Sequence, residues 1–531
     1  MTDGQATEAA ASGQPAEGAA TTRNGPRREI LIVLPGLLLA IIIAMLDQLV
    51  VSTALPRIVG DLHGVNHLAW VVTAYILAST VTTLLYGKLG DQYGRKRWLM
   101  IAIVLFLIGS ALSGLSHNMD QLIAFRAVQG LGAGGLMVGA IATIGDLVSP
   151  RERGQYMGYM MAAMTLAMIA GPLVGGGITD AWGWRWIFYI NMPIGAAALV
   201  YLYFTLHLPR KRIQHKIDYS GVVVTAIGAT AIVLLTTWGG SQFGWGSWEI
   251  LVLAALILVT LAAFFWVESR AAEPILPLHV FKNRNFSLAS SMSFLLGLAM
   301  LGAMTFLPLY QQTVQHLSPT GSGLALIPMM LGATTTSLVS GMVTSRTGRY
   351  KILPVTGAVI MSIGLYLLTH LGPDTSTLKS AGYFVIFGLG MGFLMQITSL
   401  IVQNSVAQSD MGVASSSRAF FQQIGGSIGV SLFGVVFIKK LNETMSSRLP
   451  GAHLSAGSGG QFDPVTINSL PGPIRDAAFY SISHAIDAVF WWAIPATVLV
   501  FVLALSIKEI PLRGRAEHAA DQAASAPELV H

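Results

Sequence analysis

The chain contains no cysteine, and only 11% of its 531 residues are charged. The absence of cysteine excludes disulfide bonds, thiolate zinc sites and cysteine nucleophiles. An average soluble domain has about 25% charged residues. With 53% hydrophobic residues, a soluble chain of this size would have more apolar surface than it could bury. The composition therefore predicts an integral membrane protein surrounded by lipid.

The positive charges do not form one basic patch. The net charge of +6 comes from Lys and Arg residues spaced between apolar runs, a pattern that predicts no nucleic-acid partner. The HExxH and GxxxxGK[ST] signatures of metalloproteases and P-loop proteins are missing as well. We therefore expect no metal, no organic cofactor and no enzymatic activity.

Apolar runs of membrane-spanning length, about 20 residues, follow one another along most of the chain. Fourteen are recognised, near residues 30–52, 68–88, 98–116, 121–145, 155–179, 187–207, 220–238, 249–267, 287–310, 322–343, 353–371, 381–403, 414–437 and 487–507. An even number of spans puts both termini on one side. If that side is the cytoplasm, 22 of the 31 Lys and Arg residues lie in cytoplasmic segments and 7 in external ones. The positive-inside rule thus predicts a multi-pass protein of the cell (inner or plasma) membrane with both termini cytoplasmic.

One glycine-rich basic loop occurs twice. Gly-Lys-Leu-Gly-Asp-Gln-Tyr-Gly-Arg-Lys-Arg fills residues 87–97, and a weaker copy lies 254 positions later at 341–351, with Ser345 in place of the acid. The copies follow spans 2 and 10, so two six-span halves match only if spans 7 and 8 are an insertion. Transporters are often built from such repeats.

The repeat predicts five segments along the chain. They are a disordered cytoplasmic tail (1–29), a first six-helix bundle (30–207), a linker with two extra transmembrane helices (208–285), a second six-helix bundle (286–507, including an external loop at 439–486) and a second cytoplasmic tail (508–531).

Four short motifs add further information. They are Leu46–Pro56 in span 1, the loop Gly87–Arg97, Arg126–Gly132 in span 4, and Gly158 with Gly171, Pro172, Gly175 and Gly176 in span 5. On these motifs the chain resembles the major facilitator superfamily, and within it the 14-span drug:proton antiporter branch (the EmrB/QacA type). The resemblance covers nearly all of residues 30–507. It implies an all-α integral membrane protein of the major facilitator fold, with two six-helix bundles plus two inserted helices, that exports drugs or antibiotics by proton antiport.

Asp47 and Arg126 are charged residues inside predicted spans. A carboxylate at the centre of a span costs about 2.5–3.5 kcal/mol on insertion scales, so it usually faces a cavity or a cation. Burial disfavours the charged form of a carboxyl group and a nearby guanidinium favours it, so an acid under both influences can exchange a proton. We expect Asp47 to carry the coupled proton, Arg126 to pair with it, and Gln129 to bond to either. The alternatives are a solvated structural acid and a fixed ion pair between helices.

The first basic loop holds a second group of charges. In the resembled family the loop acid caps a helix N-terminus of the opposite half, where free N–H groups favour an anion. For this chain the resemblance implies that Asp91 caps the helix that starts around 412–415. It also implies that Arg95 bridges to Asp146, with Gly87 and Gly94 belonging to the same loop. Such a contact would hold the cytoplasmic side closed; the alternative is a solvated acid in a positive loop.

Glycine and proline dominate span 5. Pro172 is expected to break or kink the span, while Gly171, Gly175 and Gly176 are expected to pack closely against a neighbour. In the resembled branch this motif, which includes Gly158, accompanies export by antiport. Ordinary packing of small residues is the alternative.

Aromatic, amide and charged side chains within the spans are candidates for a substrate pocket. The set comprises Trp70, Tyr75, Tyr310, Gln311, Arg418, Phe421 and Gln422. Arg418 lies about one turn inside its span, so we expect its side chain to extend back toward the cytoplasm. His484 and Asp487 are three residues apart, so we expect them to pair on one helix face and to form a second protonation site.

Proton-driven export of amphipathic small molecules is the leading hypothesis, with protons as the coupling ion, membrane lipid as the other partner and a monomer as the working unit. Members of the branch that handle dications tend to have further acids in spans 10 and 13. Both spans lack acids here, which favours a neutral or monovalent substrate. The alternatives are a uniporter or symporter of a metabolite or lipid and, on weaker grounds, a membrane enzyme.

Overall fold

The computed structural model describes residues 25–62, 68–148, 150–207, 219–239, 243–271, 276, 278–317, 319–372, 375–407, 410–448 and 472–512. These residues form helices, with no strand among them beyond an isolated bridge between Gly239 and Phe243. Thirteen of the described helices are long and apolar enough to cross a bilayer, and the shorter apolar helix Ile352–Leu368 occupies the position of the remaining predicted span.

The helices follow the predicted order of two halves with an inserted pair. The first half contains α1 (Gly25–Leu62), α2 (Leu68–Tyr93), α3 (Arg95–Gly114), α4 (Met119–Leu147), α5 (Pro150–Ala181), the short α6 (Trp186–Tyr189) and α7 (Asn191–Thr205). The inserted helices are α8 (Tyr219–Trp238) and α9 (Trp248–Glu268). A 3-10 turn (Val280–Lys282) leads to the second half: α10 (Arg284–Thr313), α11 (Pro319–Ala325), α12 (Ile327–Thr347), α13 (Ile352–Leu368), α14 (Thr377–Asn404), α15 (Met411–Arg448) and α16 (Gly472–Leu505).

Each half has its own apolar core, and the halves meet along two pairs of helices. Side chains of α1 to α7 form the cores of the first half, and those of α10 to α16 form the core of the second. Across the seam α2 packs on α15 and α5 packs on α12. The inserted α8 contacts both α2 and α15, and its Thr236 hydroxyl lies 2.6 Å from the hydroxyl of Ser427 on α15. The inserted pair therefore flanks the seam between the halves.

The two basic loops each have a glycine of positive φ directly after a helix, which supports the internal repeat. Gly94 (φ 96°) and Gly348 (φ 70°) follow α2 and α12, and both have the left-handed φ that favours glycine. We call the end of the molecule that carries these two loops the basic end.

The glycines of the fourth-span motif also recur in the second half. Gly130 and Gly132 of α4 have no room for a side chain against α2 and α3, respectively. Gly388 and Gly390 of α14 are equally crowded by α12 and α13. Because α12 and α13 repeat α2 and α3, each half contains one three-helix unit held together by the same Gly-Leu-Gly sequence.

A further glycine cluster in α15 also serves packing. Residues Gly425 to Gly429 match the letters of the G-x-S-x-G hydrolase motif, but they lie in the middle of a helix and not on a strand-to-helix turn. An added side chain at Gly425 would collide with the Phe294 carbonyl of α10. The cluster therefore allows α10 and α15 to approach closely.

Several predicted boundaries are wrong because helices extend beyond the apolar runs. α1 begins at Gly25, inside the predicted tail, and α15 continues to Arg448 while α16 begins at Gly472. The described parts of the predicted 439–486 loop are thus helical, and residues 449–471 lie outside the described residues, as do 1–24 and 513–531. Hydropathy detects only the apolar part of a helix, whereas polar helix ends are stabilised in water by local pairs such as Lys440 and Glu443, 3.6 Å apart.

The predicted break in span 5 is also absent. α5 is one helix from Pro150 to Ala181 and passes through position 172 without interruption. Membrane helices tolerate proline because neighbouring groups satisfy the freed carbonyl.

Candidate functional site

Asp47 lies at the centre of a buried polar cluster in the first half. Its Oδ2 accepts a hydrogen bond from Arg126 Nη1 at 2.5 Å, and its Oδ1 accepts one from Gln129 Nε2 at 2.8 Å. Arg126 Nη1 also donates to Gln129 Oε1 at 2.8 Å. Asp47 and Arg126 are each 1% exposed. The structure therefore brings together the three residues that the sequence singled out, and it brings them into direct contact.

Two polar residues that sequence reasoning missed complete this cluster. Asn191 Nδ2 donates to Asp47 Oδ1 at 2.9 Å and to Ser110 Oγ at 3.0 Å. Asn191 is the first residue of α7, and Ser110 lies in α3. A polar residue at the start of an apolar run was the available signal for Asn191, and it points to a helix end as readily as to a buried site.

Aromatic rings enclose the guanidinium of the cluster. The Arg126 Cζ lies 4.2 Å from the centre of the Tyr75 ring and 5.9 Å from that of Phe188. Arg126 Nε reaches the Val71 carbonyl at 3.4 Å. Tyr75 therefore belongs to the charge cluster, where it offers a cation–π contact; it is 2% exposed.

A second cluster lies at the basic end and joins the two halves. Asp91 Oδ1 and Oδ2 accept the backbone N–H groups of Gly412 and Val413 at 3.0 and 2.9 Å. Arg95 Nη2 lies 2.6 Å from Asp91 Oδ1, and Arg95 Nε pairs with Asp146. This is the arrangement that the resemblance implied: an acid of the first half caps the N-terminus of α15, and an arginine links it to the end of α4.

Close backbone approach supports the contact between the halves. An added side chain at Gly87 would collide with Ser416, and one at Gly412 would lie 2.5 Å from Asp91 Oδ1. Arg153, which sequence reasoning did not select, is 1% exposed and donates to the Val148 carbonyl at 3.0 Å beside this cluster. The second loop offers no matching acid, because Ser345 stands at that position; this half-buried serine donates to the Met342 carbonyl of its own helix.

α3 and α4 connect the two clusters. Arg126 and Asp146 are 20 residues apart on α4, which corresponds to about 30 Å of helix. Arg95 of the basic-end cluster and Ser110 of the Asp47 cluster likewise both lie on α3. The α1–α4 ion pair and the basic-end contact therefore share two continuous helices.

The span-5 glycines face both halves. Gly171 packs on α1, where an added Cβ would lie 2.6 Å from Leu49 Cβ, and Gly158 packs on Leu338 of α12. Gly175 is buried. Gly176 has no neighbour within 4 Å of an added Cβ, so the expectation of close packing is wrong there. Since α5 extends beyond the contact with α1, a glycine near its end meets open space.

The candidate pocket residues do not form one group. Trp70 contacts Trp238 of α8 edge to face, with ring centres 5.6 Å apart. Tyr310 and Gln311 are fully buried in the second half, and the Tyr310 hydroxyl donates to the Gly372 carbonyl at 2.9 Å. Tyr310 thus packs within the core of its own bundle, and its place in a substrate pocket stays a prediction.

Arg418 turns away from the basic end, so the expected snorkelling is wrong. Its Nη1 donates to Gln422 Oε1 at 3.0 Å, one turn further into the span. Phe421, the remaining candidate, contacts Phe281 with ring centres 6.0 Å apart. Arg418 is only 7% exposed. Its buried side chain therefore has no path along the surface of α15 back to water.

His484 and Asp487 do not pair as expected. The His484 ring stacks on Tyr480 at 3.9 Å, and its Nδ1 lies 3.1 Å from the Tyr480 carbonyl. Asp487 Oδ1 is buried and has no hydrogen-bond partner among the described residues. Both residues lie inside α16, and stacking one turn back draws the imidazole away from the carboxyl group.

Comparison with known proteins settles the family. The model of the Major Facilitator Superfamily matches residues 37–430. The chain belongs to this superfamily. An uncharacterised MFS-type transporter of Mycobacterium tuberculosis is 37% identical over 481 residues, which cover 91% of this chain and 70% of the relative. Multidrug resistance protein 3 of Bacillus subtilis is 34% identical over 501 residues, covering 91% and 96%.

The fold of the superfamily is confirmed by solved structures. The proton:xylose symporter XylE bound to 6-bromo-6-deoxy-D-glucose superposes with a TM-score of 0.62 at 14% identity, covering 93% of this chain and 99% of that one. The protein is thus a multi-pass MFS transporter, and the predicted fold class is correct.

Breaking the Asp47–Arg126 pair from one side should destabilise the transporter more than removing it whole. Arg126→Gln leaves a buried carboxylate without its cation, and Asp47→Asn leaves a buried guanidinium without its anion. Each single change should cost about 3–5 kcal/mol, and the double variant should cost less than their sum because neither charge remains. Thermal unfolding of the purified protein, followed by tryptophan fluorescence, measures these losses. Arg284→Gln, an exposed site on α10, is the control, and strictly additive losses would contradict the coupling.

Proposed function

We propose that this MFS transporter exports amphipathic small molecules from the cytoplasm by antiport with protons. The observation that carries the proposal is the Asp47 carboxylate, buried within the first half and held by Arg126, Gln129 and Asn191. A carboxyl group inside a membrane span usually faces a cavity or a charge partner, because an isolated charge there is costly. The names of relatives, such as Multidrug resistance protein 3, support drug-like molecules as substrates.

Protonation of Asp47 is the switch in this proposal. The ionised carboxylate accepts three hydrogen bonds from residues on α4 and α7. Once Asp47 is protonated, Arg126 no longer faces an anion, and the hydrogen bonds from Gln129 and Asn191 to the carboxyl group become weaker. The packing of α1 against α4 and α7 therefore weakens. A proton taken from the external side and released to the cytoplasm thereby alternates two arrangements of the first half, while substrate moves outward.

The basic-end cluster is the cytoplasmic gate in this proposal. With both termini in the cytoplasm, Asp91 and Arg95 close the cytoplasmic side by holding α2 to α15. Because α3 and α4 belong to both clusters, a change of packing at Asp47 is transmitted to this contact. The glycines of α5 at 158 and 171 keep the first half tightly packed against α12 and α1, which limits proton leak.

Asp487 is proposed as the site of a second proton. Its Oδ1 is buried without a hydrogen-bond partner in the described part of the chain. An ionisable side chain inside a membrane span is a candidate for a proton pathway. We further propose a neutral or monovalent substrate, a location in the cell membrane and a monomer as the working unit.

Asp47→Asn should abolish proton coupling, because an amide keeps the size of the side chain but cannot titrate. A susceptibility panel in an efflux-deficient bacterial host identifies exported compounds. Proteoliposomes with a trapped pH dye then measure proton movement on addition of such a compound. The variant should give the signal of empty liposomes while it still binds the compound. Asp120→Asn, an exposed acid on α4, is the control. Undiminished proton movement in Asp47→Asn would contradict the proposal.

Asp91→Asn should open the cytoplasmic side more often, because an uncharged cap loses its attraction to Arg95 and to the α15 N-terminus. The absence of native cysteine allows a single Ser416→Cys reporter, which lies against Gly87 at the seam. A membrane-impermeant maleimide applied to inside-out vesicles should label this reporter faster in the Asp91→Asn background than in the reporter alone. Equal labelling rates would remove the gating role. The Asp120→Asn background is the control.

Asp487→Asn should lower the number of protons exchanged per substrate without stopping export. The ratio follows from the reversal potential of transport in proteoliposomes at several pH gradients. A reduction by one proton is expected, and the Asp476→Asn change at an exposed acid of the same helix should leave the ratio intact. A normal ratio in Asp487→Asn would exclude a second proton at this residue.

A further inference from the structure

Four arginine side chains are buried among the described residues. Arg126 pairs with Asp47, and Arg95 pairs with Asp91 and Asp146. Arg153 donates to backbone carbonyl groups at the end of α4. Only the fourth, Arg418 of α15, has neither a carboxylate nor a backbone carbonyl as its partner within the described part of the chain, and this difference requires a reason.

The Arg418 guanidinium is incompletely bonded. Its one hydrogen bond goes to Gln422 Oε1 at 3.0 Å, and its Nε is buried with no acceptor. The Asp91 carboxylate at the N-terminus of α15 lies about 8 Å away along the helix axis and is already bound to Arg95 and two backbone N–H groups. A buried guanidinium without an anion is unfavourable in a low-dielectric interior.

The surroundings of Arg418 combine polar and aromatic groups. Gly297 of α10 packs on the Gln422 carbonyl, so α10 lies against the turn of α15 to which Arg418 bonds. Phe421 lies one turn from Arg418 on α15 and contacts Phe281. A cation, an amide and aromatic rings thus share one region inside the second half.

We propose that Arg418, with Gln422, binds the anionic group of an amphipathic substrate, a carboxylate or a phenolate, while Phe421 contacts its apolar body. This inference rests on the proposed export function, because it takes the ligand to be a substrate. It deepens that proposal by naming the charge of the substrate. The planar fork of a guanidinium matches a carboxylate in two parallel hydrogen bonds. An arriving anion would supply the acceptors that the Arg418 guanidinium lacks and would neutralise a charge that the second half leaves uncompensated.

Three pyrene compounds with one aromatic body and different charges test the site: 1-pyrenebutyrate (anion), 1-pyrenebutyramide (neutral) and 1-pyrenebutylamine (cation). Binding to the full-length protein in nanodiscs of phosphatidylcholine is measured by energy transfer from tryptophan to pyrene. Arg418→Gln should weaken binding of the anion by roughly 10- to 100-fold, the range for a lost hydrogen bond to a charged group, and leave the cation bound as before. Arg418→Lys should lose less, since it keeps the charge without the fork. Arg284→Gln, exposed on the neighbouring α10, is the matched control.

Two results would overturn the subsite. One is an equal effect of Arg418→Gln on all three probes, whether no loss or the same loss, since a merely structural role would not discriminate by charge. The other is retention of phosphatidylglycerol by the wild type and not by Arg418→Gln in native mass spectrometry, with no competition from 1-pyrenebutyrate, which would assign the site to a lipid headgroup.

Failure of the subsite is distinguishable from failure of the export proposal. If Asp47→Asn retains proton coupling while Arg418→Gln still selects against the anion, the subsite stands and antiport fails. If Asp47→Asn loses coupling while the order of probe affinities is independent of residue 418, antiport stands and the subsite fails.

Discussion

The neutralisation of Asp47 by Arg126 is the interaction on which the rest of the first half depends. In a bilayer neither charge can turn to water, so each must be met by the other and by the amides of Gln129 and Asn191. These contacts fix the relative positions of α1, α4 and α7. Because the carboxylate accepts three hydrogen bonds from these residues, the proposed switch follows: a proton added to Asp47 weakens these bonds and lets the surrounding helices repack.

The two halves repeat a backbone but not a chemistry. Arg126-Ala-Val-Gln-Gly-Leu-Gly in α4 corresponds to Phe384-Val-Ile-Phe-Gly-Leu-Gly in α14 when the closely packed glycines are matched. The polar pair of the first half is thus replaced by two buried phenylalanines. The basic loops diverge in the same direction: Asp91 caps α15, whereas Ser345 donates to the Met342 carbonyl of its own helix. In the proposed mechanism the Asp47 switch and the Asp91 gate therefore both belong to the first half, whereas the second half presents Arg418 and the proposed second proton site at Asp487.

Sequence patterns predicted those features that hydropathy, charge cost or a motif determines. The spans, the Asp47–Arg126 contact and the Asp91 cap follow from such signals, the last through family resemblance. Features that depend on three-dimensional neighbours were not predictable. Asn191 became part of the cluster only because α7 begins beside α1, and Arg418 turns inward to bond to Gln422. Gly176 and Gly175 are adjacent and identical in sequence, yet only the second is buried.

The charge of the substrate also determines which part of the proton motive force drives the proposed exchange. One proton entering as a monocation leaves moves no net charge, so only the pH difference contributes. With a neutral substrate one charge moves, worth about 2.3 kcal/mol per 100 mV. With a monoanion held at Arg418, the entering proton and the departing anion move two charges in the favourable direction, about 4.6 kcal/mol per 100 mV. A cation-bearing second half therefore gives the proposed antiporter, for each proton exchanged, its largest electrical driving force on acidic substrates.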